Sequence, residues 1–186
     1  DGACFMGGSS VVYCSVKKLG IGMIGCGVVG GGVVCHLKKN RDLIATRSGL
    51  DLEIQKVAVR DLSKDRGVSP DLLTTDWREV IADPNVDIVV ELAGGVDLPE
   101  EIGLAAIKAG KPLVTANKAM LAERAETLFP AAREANVPLF FEAAVAGGIP
   151  ILKALCEGLR ANRIEQIHGI INGTCNYILT RMEAEK

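Results

Sequence analysis

An apolar run from Leu19 to Ile24 leads directly into Gly25, Gly27 and Gly30, and the residues from Val33 to Leu37 that follow carry a helix-like apolar pattern. The spacing is G-x-G-x-x-G, set between a strand and a helix. Each glycine has a mechanical task there: Gly25 permits a tight turn, Gly27 a close backbone approach to a pyrophosphate, and Gly30 the packing of helix on strand. The helix then points its free N–H groups and positive dipole end at the phosphates. The segment reads as a dinucleotide-binding turn, against the plainer alternative of a glycine-rich strand-to-helix connection.

The rest of the chain repeats the alternation. A helix is expected over Gly31–Lys39, a polar loop over Asn40–Asp51, a strand over Ile54–Val59 and a loop from Lys64 to Pro70. Asp76 to Ile81 opens a short helix that Asp83-Pro84 ends. Asp87–Leu92 is a central strand, Glu100–Ala109 a helix stopped by Gly110, Pro112–Ala116 a strand, Met120–Asn136 a helix and Pro138–Phe141 a strand. This rhythm predicts an α/β fold, a doubly wound parallel sheet. From about Ala143 the rhythm changes: a turn at Ala146–Pro150, a helix over Ile151–Leu159, a strand over Ile164–Ile171 and a helix from Thr174. The expected organisation is a dinucleotide-binding domain over 17–142 and the start of an α+β substrate and dimerisation domain over 143–186. Residues 1–16 read as a disordered leader or a fragment boundary, and the chain as the front part of something longer.

Composition agrees with this architecture. Only 4% of the 186 residues are aromatic while 48% are hydrophobic, which fits aliphatic, buried parallel strands. A net charge of −2 and no basic stripe argue against nucleic acid as a partner. No apolar stretch approaches a membrane span. The six cysteines lack C-x-x-C spacing, so zinc is not expected and the thiols read as reduced, in a cytosol-like compartment. His36 and His168 have no partner at ligand spacing and read as ordinary helix and strand residues.

Ligands of an open α/β sheet lie beyond the carboxyl ends of its strands, which singles out Arg60, Glu91, Asn117, Lys118 and Glu142. At the end of the second strand a carboxylate accepts from the ribose 2′-OH of NAD, while an arginine accommodates the 2′-phosphate of NADP. Arg60 and Asp61 are both present; arginine's planar fork suits phosphate and tips the reading to NADP, with NAD the alternative. Lys118 opens a helix whose dipole disfavours a cation, so it either serves an anionic ligand or proton transfer, or is a solvated surface lysine. Glu142 precedes a glycine-rich turn with several free carbonyls: either a hard-cation site or a helix cap or ion pair. Thr174 is either an N-cap or a substrate contact.

With these residues in place, the chain closely resembles homoserine dehydrogenases of the monofunctional bacterial type. The matching segments are GCGVVGGGVV, KVAVRDLSKDRG, VVELAGG, GKPLVTANKAMLA, FFEAAVAGGIPI and HGIINGTCNYILTRM, from about Lys17 onward. The resemblance implies reversible interconversion of L-homoserine and L-aspartate 4-semialdehyde with NAD(P)(H), feeding threonine, methionine and isoleucine synthesis, in a cytoplasmic homodimer or higher homo-oligomer. It places Val28 and Val29 on the nicotinamide side of the cofactor, Arg60 at the NADP phosphate, and Ala93 and Gly94 at cofactor contacts. Lys118 falls at the cofactor and substrate site, and Gly173 and Thr174 at the floor of the homoserine pocket. Glu142, Val145, Gly147 and Ile149 match a sodium site in which all but the glutamate act through backbone carbonyls. Val28 stands where relatives commonly have Thr. The family's substrate-binding carboxylates and proton-transfer lysine belong to a later segment, expected beyond Lys186. The rivals are another semialdehyde or diaminopimelate-pathway reductase on the same fold, and a nucleotide-sensing or structural module without turnover.

Overall fold

A computed structural model describes residues 3–5, 11–13, 16–169 and 172–185. Six parallel strands form its centre: β3 (Lys17–Ile24), β4 (Leu50–Ala58), β5 (Leu73–Thr74), β6 (Ile88–Glu91), β7 (Leu113–Thr115) and β8 (Leu139–Phe140). Their order across the sheet is β5-β4-β3-β6-β7-β8, so two halves grow outward from the β3–β6 pair. Counted from β3, this is the 3-2-1-4-5-6 order of a doubly wound dinucleotide-binding sheet, with its switch point between β3 and β6. Two further short strands, β1 (Ala3–Phe5) and β2 (Val11–Tyr13), pair antiparallel in the stretch that reads as an unstructured leader.

The helices are α1 (Val28–Lys39), α2 (Arg41–Ser48), α3 (Trp77–Ala82), α4 (Asp97–Lys108), α5 (Lys118–Glu134), α6 (Ile151–Lys153, continued by a π-turn over Ala154–Gly158) and α7 (Gly173–Ala184). Successive strand residues bury on opposite sides of the sheet, as the two-residue period requires. On one face Ile21, Met23 and Val57 pack with Val34 of α1. On the other, Ile24, Ala58 and Val89 pack with Val80 and Ile81 of α3 and with Ile102 and Ala106 of α4. Met120, Leu128 and Ala132 of α5 close a third cluster with Ile107 of α4 and Val137. Burial on both faces explains why the strands read as continuous aliphatic runs.

Two expected elements differ. The polar stretch Asn40–Asp51 is not a loop: it holds α2 and the start of β4. α2 has no buried residue and so no apolar stripe to betray it. Its ends are made locally instead. Gly49 adopts φ 70° and donates to the Ala45 carbonyl, the left-handed cap that terminates a helix. Arg41 makes a two-pronged ion pair with Asp51 at 2.6 and 2.7 Å, which fastens the start of α2 to β4. The strand expected over Ile164–Ile171 is also absent through residue 169, which is irregular and exposed; Ile170 and Ile171 lie outside the described residues. A strand is completed by a neighbour's hydrogen bonds, and among the described residues no strand runs beside this one. His168 therefore sits in irregular chain.

Candidate functional site

The carboxyl ends of β3, β4 and β6 open onto a cleft of about 590 Å³. Its floor is the glycine turn, with Gly25, Cys26 and Gly27; one wall is the loop after β4, with Arg60, Asp61, Lys64 and Arg66; the other carries Ala93 and Gly94. Trp77 and Leu98 add apolar surface. A cleft at the strand-order reversal, floored by a helix N-terminus, suits a dinucleotide.

The three glycines divide their work as their spacing predicts. Gly25 has φ 95°, and a β-carbon on it would stand 2.5 Å from the Leu92 carbonyl oxygen. A β-carbon on Gly30 would lie 2.6 Å from the Gly25 carbonyl oxygen, so its absence lets α1 rest on the turn. Gly27, the residue before α1, is different: a β-carbon there meets nothing within 4 Å. The space it leaves belongs to the cleft. Val28 and Val29 follow Gly27 as the first α1 residues and are exposed, Val28 at 96% and Val29 at 59%.

The division of labour between Arg60 and Asp61 is visible in their partners. Both oxygens of Asp61 are engaged: Oδ1 accepts from the Ser63 amide at 2.9 Å and its hydroxyl at 2.6 Å, and Oδ2 stands 3.8 Å from Lys64 Nζ. The Ser63 hydrogen bonds hold the Asp61 carboxyl below the ordinary carboxylate range. Arg60 is exposed and makes no ion pair among the described residues. The acid shapes its own loop, and the arginine has no such partner among the described residues.

Arg66 escapes the sequence reading. Its guanidinium donates to the Cys26 carbonyl in the glycine turn and, at 3.3 Å, to the Asp61 carbonyl, clasping the floor of the cleft to the wall after β4. Both acceptors are backbone oxygens, which residue types do not encode. The visible signal was the loop's charge, with Arg60, Lys64 and Arg66 within seven positions.

The remaining expected site residues lie outside this cleft. Lys118 is the first residue of α5, exposed, with no acidic residue in that first turn to neutralise it. Asn117 caps α5 by accepting from the Met120 amide at 3.0 Å, and its Nδ2 donates to the Gly95 carbonyl at 2.8 Å. That bond ties the Lys118 turn to the Ala93–Gly95 wall. Glu142 caps α6: Oε1 accepts from the Leu152 amide at 2.9 Å and Oε2 from the Lys153 amide at 2.8 Å. Within the intervening turn the Ile149 carbonyl accepts from Ile151, while Val145 and Gly147 offer carbonyls with no partner among the described residues. Gly173 and Thr174 begin α7, exposed. The cap of that helix is Asn172, which accepts from the Cys175 amide at 3.0 Å, so Thr174 is not needed for capping. Among the described residues no three His, Cys, Asp or Glu side chains cluster as a metal site, and no helix is long and apolar enough to cross a membrane.

Residues 25–142 match the family model for the homoserine dehydrogenase NAD-binding domain, and residues 150–186 match that for homoserine dehydrogenase. The homoserine dehydrogenase of Corynebacterium glutamicum is 47% identical over 167 residues, 89% of this chain and 38% of that protein. That of Bacillus subtilis is 43% identical, over 92% of this chain and 40% of the relative. A solved homoserine dehydrogenase from Thiobacillus denitrificans superposes with a TM-score of 0.83 at 46% identity, covering 92% of this chain and 40% of that one. The chain thus spans about two fifths of the length of these relatives. A doubly wound sheet, a glycine turn with an open cradle at Gly27 and matches along nearly the whole chain agree: this protein belongs to the homoserine dehydrogenase family, and residues 25–142 are its NAD-binding domain.

Proposed function

We propose that this chain is the dinucleotide-holding part of an oxidoreductase that interconverts L-homoserine and L-aspartate 4-semialdehyde, with NADP(H) as the preferred cofactor and NAD(H) the alternative. The observation that carries the cofactor preference is the pairing at the end of β4: Asp61 is held by Ser63, and Arg60 has no protein partner among the described residues. A guanidinium so placed suits a 2′-phosphate, while the Asp61 carboxylate already turns one oxygen to Ser63. The group fits the site, since the Gly27 cradle is open and the α1 N-terminus supplies donors for a pyrophosphate.

When bound, the nicotinamide supplies the hydride chemistry. The chain's own residues bind and orient. Gly25 and Gly30 hold the turn, Arg66 clasps it to the β4 loop, and Val28 and Val29 offer apolar surface beside the ring. Ala93 and Gly94 line the opposite wall. Lys118 steadies the substrate oxygen with a charge that no carboxylate in its own helical turn cancels. Gly173 and Thr174 form the floor of the homoserine pocket.

A sodium ion would be held by Glu142 with the carbonyls of Val145, Gly147 and Ile149, all hard oxygen donors. Capping α6 uses one lone pair on each Glu142 oxygen and leaves others for a cation. The reading extends to a cytoplasmic homo-oligomer that serves threonine, methionine and isoleucine synthesis. The experiment is homoserine-dependent NADPH formation by the intact enzyme carrying Lys118→Ala. The expected result is a loss of about 10²-fold or more in kcat. Unchanged kcat would remove Lys118 from the chemistry.

A further inference from the structure

Glu91 is fully buried, at 0% exposure, and no Lys, Arg or His side chain pairs with it among the described residues. Burying a lone carboxylate is costly, and apolar replacements of buried charges are often neutral or stabilising, so stability alone is a poor reason for it. Its position is the reason. Glu91 ends β6 at the switch point, paired across the sheet with Ile24 on one side and Thr115 on the other.

Each of its oxygens holds a different loop. Oε1 accepts from the Ala93 amide at 2.7 Å, at the start of the Ala93–Gly95 wall. Oε2 accepts from the Thr115 hydroxyl at 2.7 Å, and Thr115 is itself only 1% exposed. That hydroxyl has one proton, given to Glu91, and it accepts from the Asn117 amide at 3.0 Å. Asn117 closes the circuit through its Nδ2 bond to the Gly95 carbonyl at 2.8 Å and caps the helix that Lys118 opens. The Asn117 amide can only donate, which leaves the Thr115 hydroxyl proton for Glu91.

The β3–β4–β5 half of such a sheet takes the adenosine end, where Arg60 stands, and the β6–β7–β8 half takes the other mononucleotide. Resting on the dinucleotide reading of the cleft, we infer that Glu91 is a positioning residue for the nicotinamide half. Through Ala93 and through the Thr115–Asn117 relay it locks the Ala93–Gly95 wall and the Lys118 turn into one unit.

Glu91→Gln preserves shape and sets an amide donor against one of two donors. Asn117→Ser retains an oxygen able to cap α5 and loses only the bond to Gly95; it lies near the surface, so it keeps the test valid should Glu91→Gln fail to fold. The readout is the dissociation constant of the chain for two probes, NADPH and 2′-phospho-ADP-ribose, which lacks nicotinamide. Both variants should weaken NADPH, by up to about tenfold, the upper scale of one lost hydrogen bond, and leave 2′-phospho-ADP-ribose within about twofold. Thr115→Val should behave like Glu91→Gln, and Thr115→Ser should restore NADPH binding. Equal losses for both probes would make Glu91 a general structural group and overturn the proposal, as would no loss for either. A wild-type chain that binds neither probe overturns the dinucleotide reading, and this proposal with it.

Discussion

Gly27→Ala separates ligand space from protein stability within a single turn. A β-carbon at Gly27 meets no protein atom within 4 Å, and the residue sits at the N-cap of α1 with φ −84°. Alanine is a poorer cap than glycine by about 0.5–1 kcal/mol, and it recovers about 0.4–1 kcal/mol by restricting the unfolded chain. The two offset, so the folding free energy should change by no more than about 0.5 kcal/mol. Binding should respond quite differently. A methyl group in the cradle keeps a pyrophosphate from the α1 amides, and a charge-assisted hydrogen bond lost there is worth about 1.5–3 kcal/mol, or roughly 10- to 150-fold in Kd. Gly25→Ala is the control. It forces a β-carbon into φ 95° and to 2.5 Å from the Leu92 carbonyl oxygen. Backbone strain of about 1–2 kcal/mol plus overpacking of about 1–3 kcal/mol should unfold the variant markedly earlier. Urea titrations and NADPH fluorescence titrations on both variants make the comparison. If Gly27→Ala lost stability as Gly25→Ala does, or bound NADPH with wild-type affinity, the assignment of the cradle to a pyrophosphate would be wrong.

Glu142→Gln should weaken sodium activation of the intact enzyme; identical sodium titrations for wild type and variant would leave Glu142 as the α6 cap alone. Cys26 is buried, and burial pushes its thiol above the ordinary range despite the nearby Arg66 cation, so little thiolate forms near neutral pH. Peptide mapping after brief maleimide treatment at pH 7 should find Cys26 unmodified and the exposed Cys35, Cys156 and Cys175 labelled; rapid labelling of Cys26 would mean that the glycine turn opens readily. The 186-residue chain should bind NADPH without oxidising homoserine, because it spans about two fifths of its relatives' length. Turnover at rates normal for an enzyme would place the whole catalytic set within these residues.

What could be read from residues alone follows the range of the interactions involved. The strand–turn–helix at Leu19–Leu37 was legible because its apolar period and its glycines are local signals. The parallel sheet was legible because Val57, Val89 and Leu113 must bury wherever they pair. α2 was not, because it has no buried residue, and its ends are marked by the Gly49 cap and the Arg41–Asp51 pair rather than by an apolar stripe. Ile164 to Ile171 read as a strand, but pairing is a property of a neighbour and not of the segment. At the site, Arg60 and Asp61 were both visible as candidates. Geometry adds what residue types could not, the Ser63 bonds at the Asp61 carboxylate. Arg66 acts on backbone carbonyls, which look alike at every position of a sequence. Glu142 was ambiguous between cap and cation ligand; its bonds to the Leu152 and Lys153 amides demonstrate the cap and leave the cation to experiment.

The central claim is that the cleft holds a dinucleotide with its 2′-phosphate on Arg60. It is tested most directly by the dissociation constants of NADPH and NADH for the wild-type chain and for Arg60→Ala. A charge-assisted contact of about 1.5–3 kcal/mol predicts that wild type prefers NADPH by roughly 10- to 150-fold and that Arg60→Ala abolishes the preference while binding NADH unchanged. Equal affinity of wild type for the two cofactors, or equal losses for both in Arg60→Ala, would contradict it.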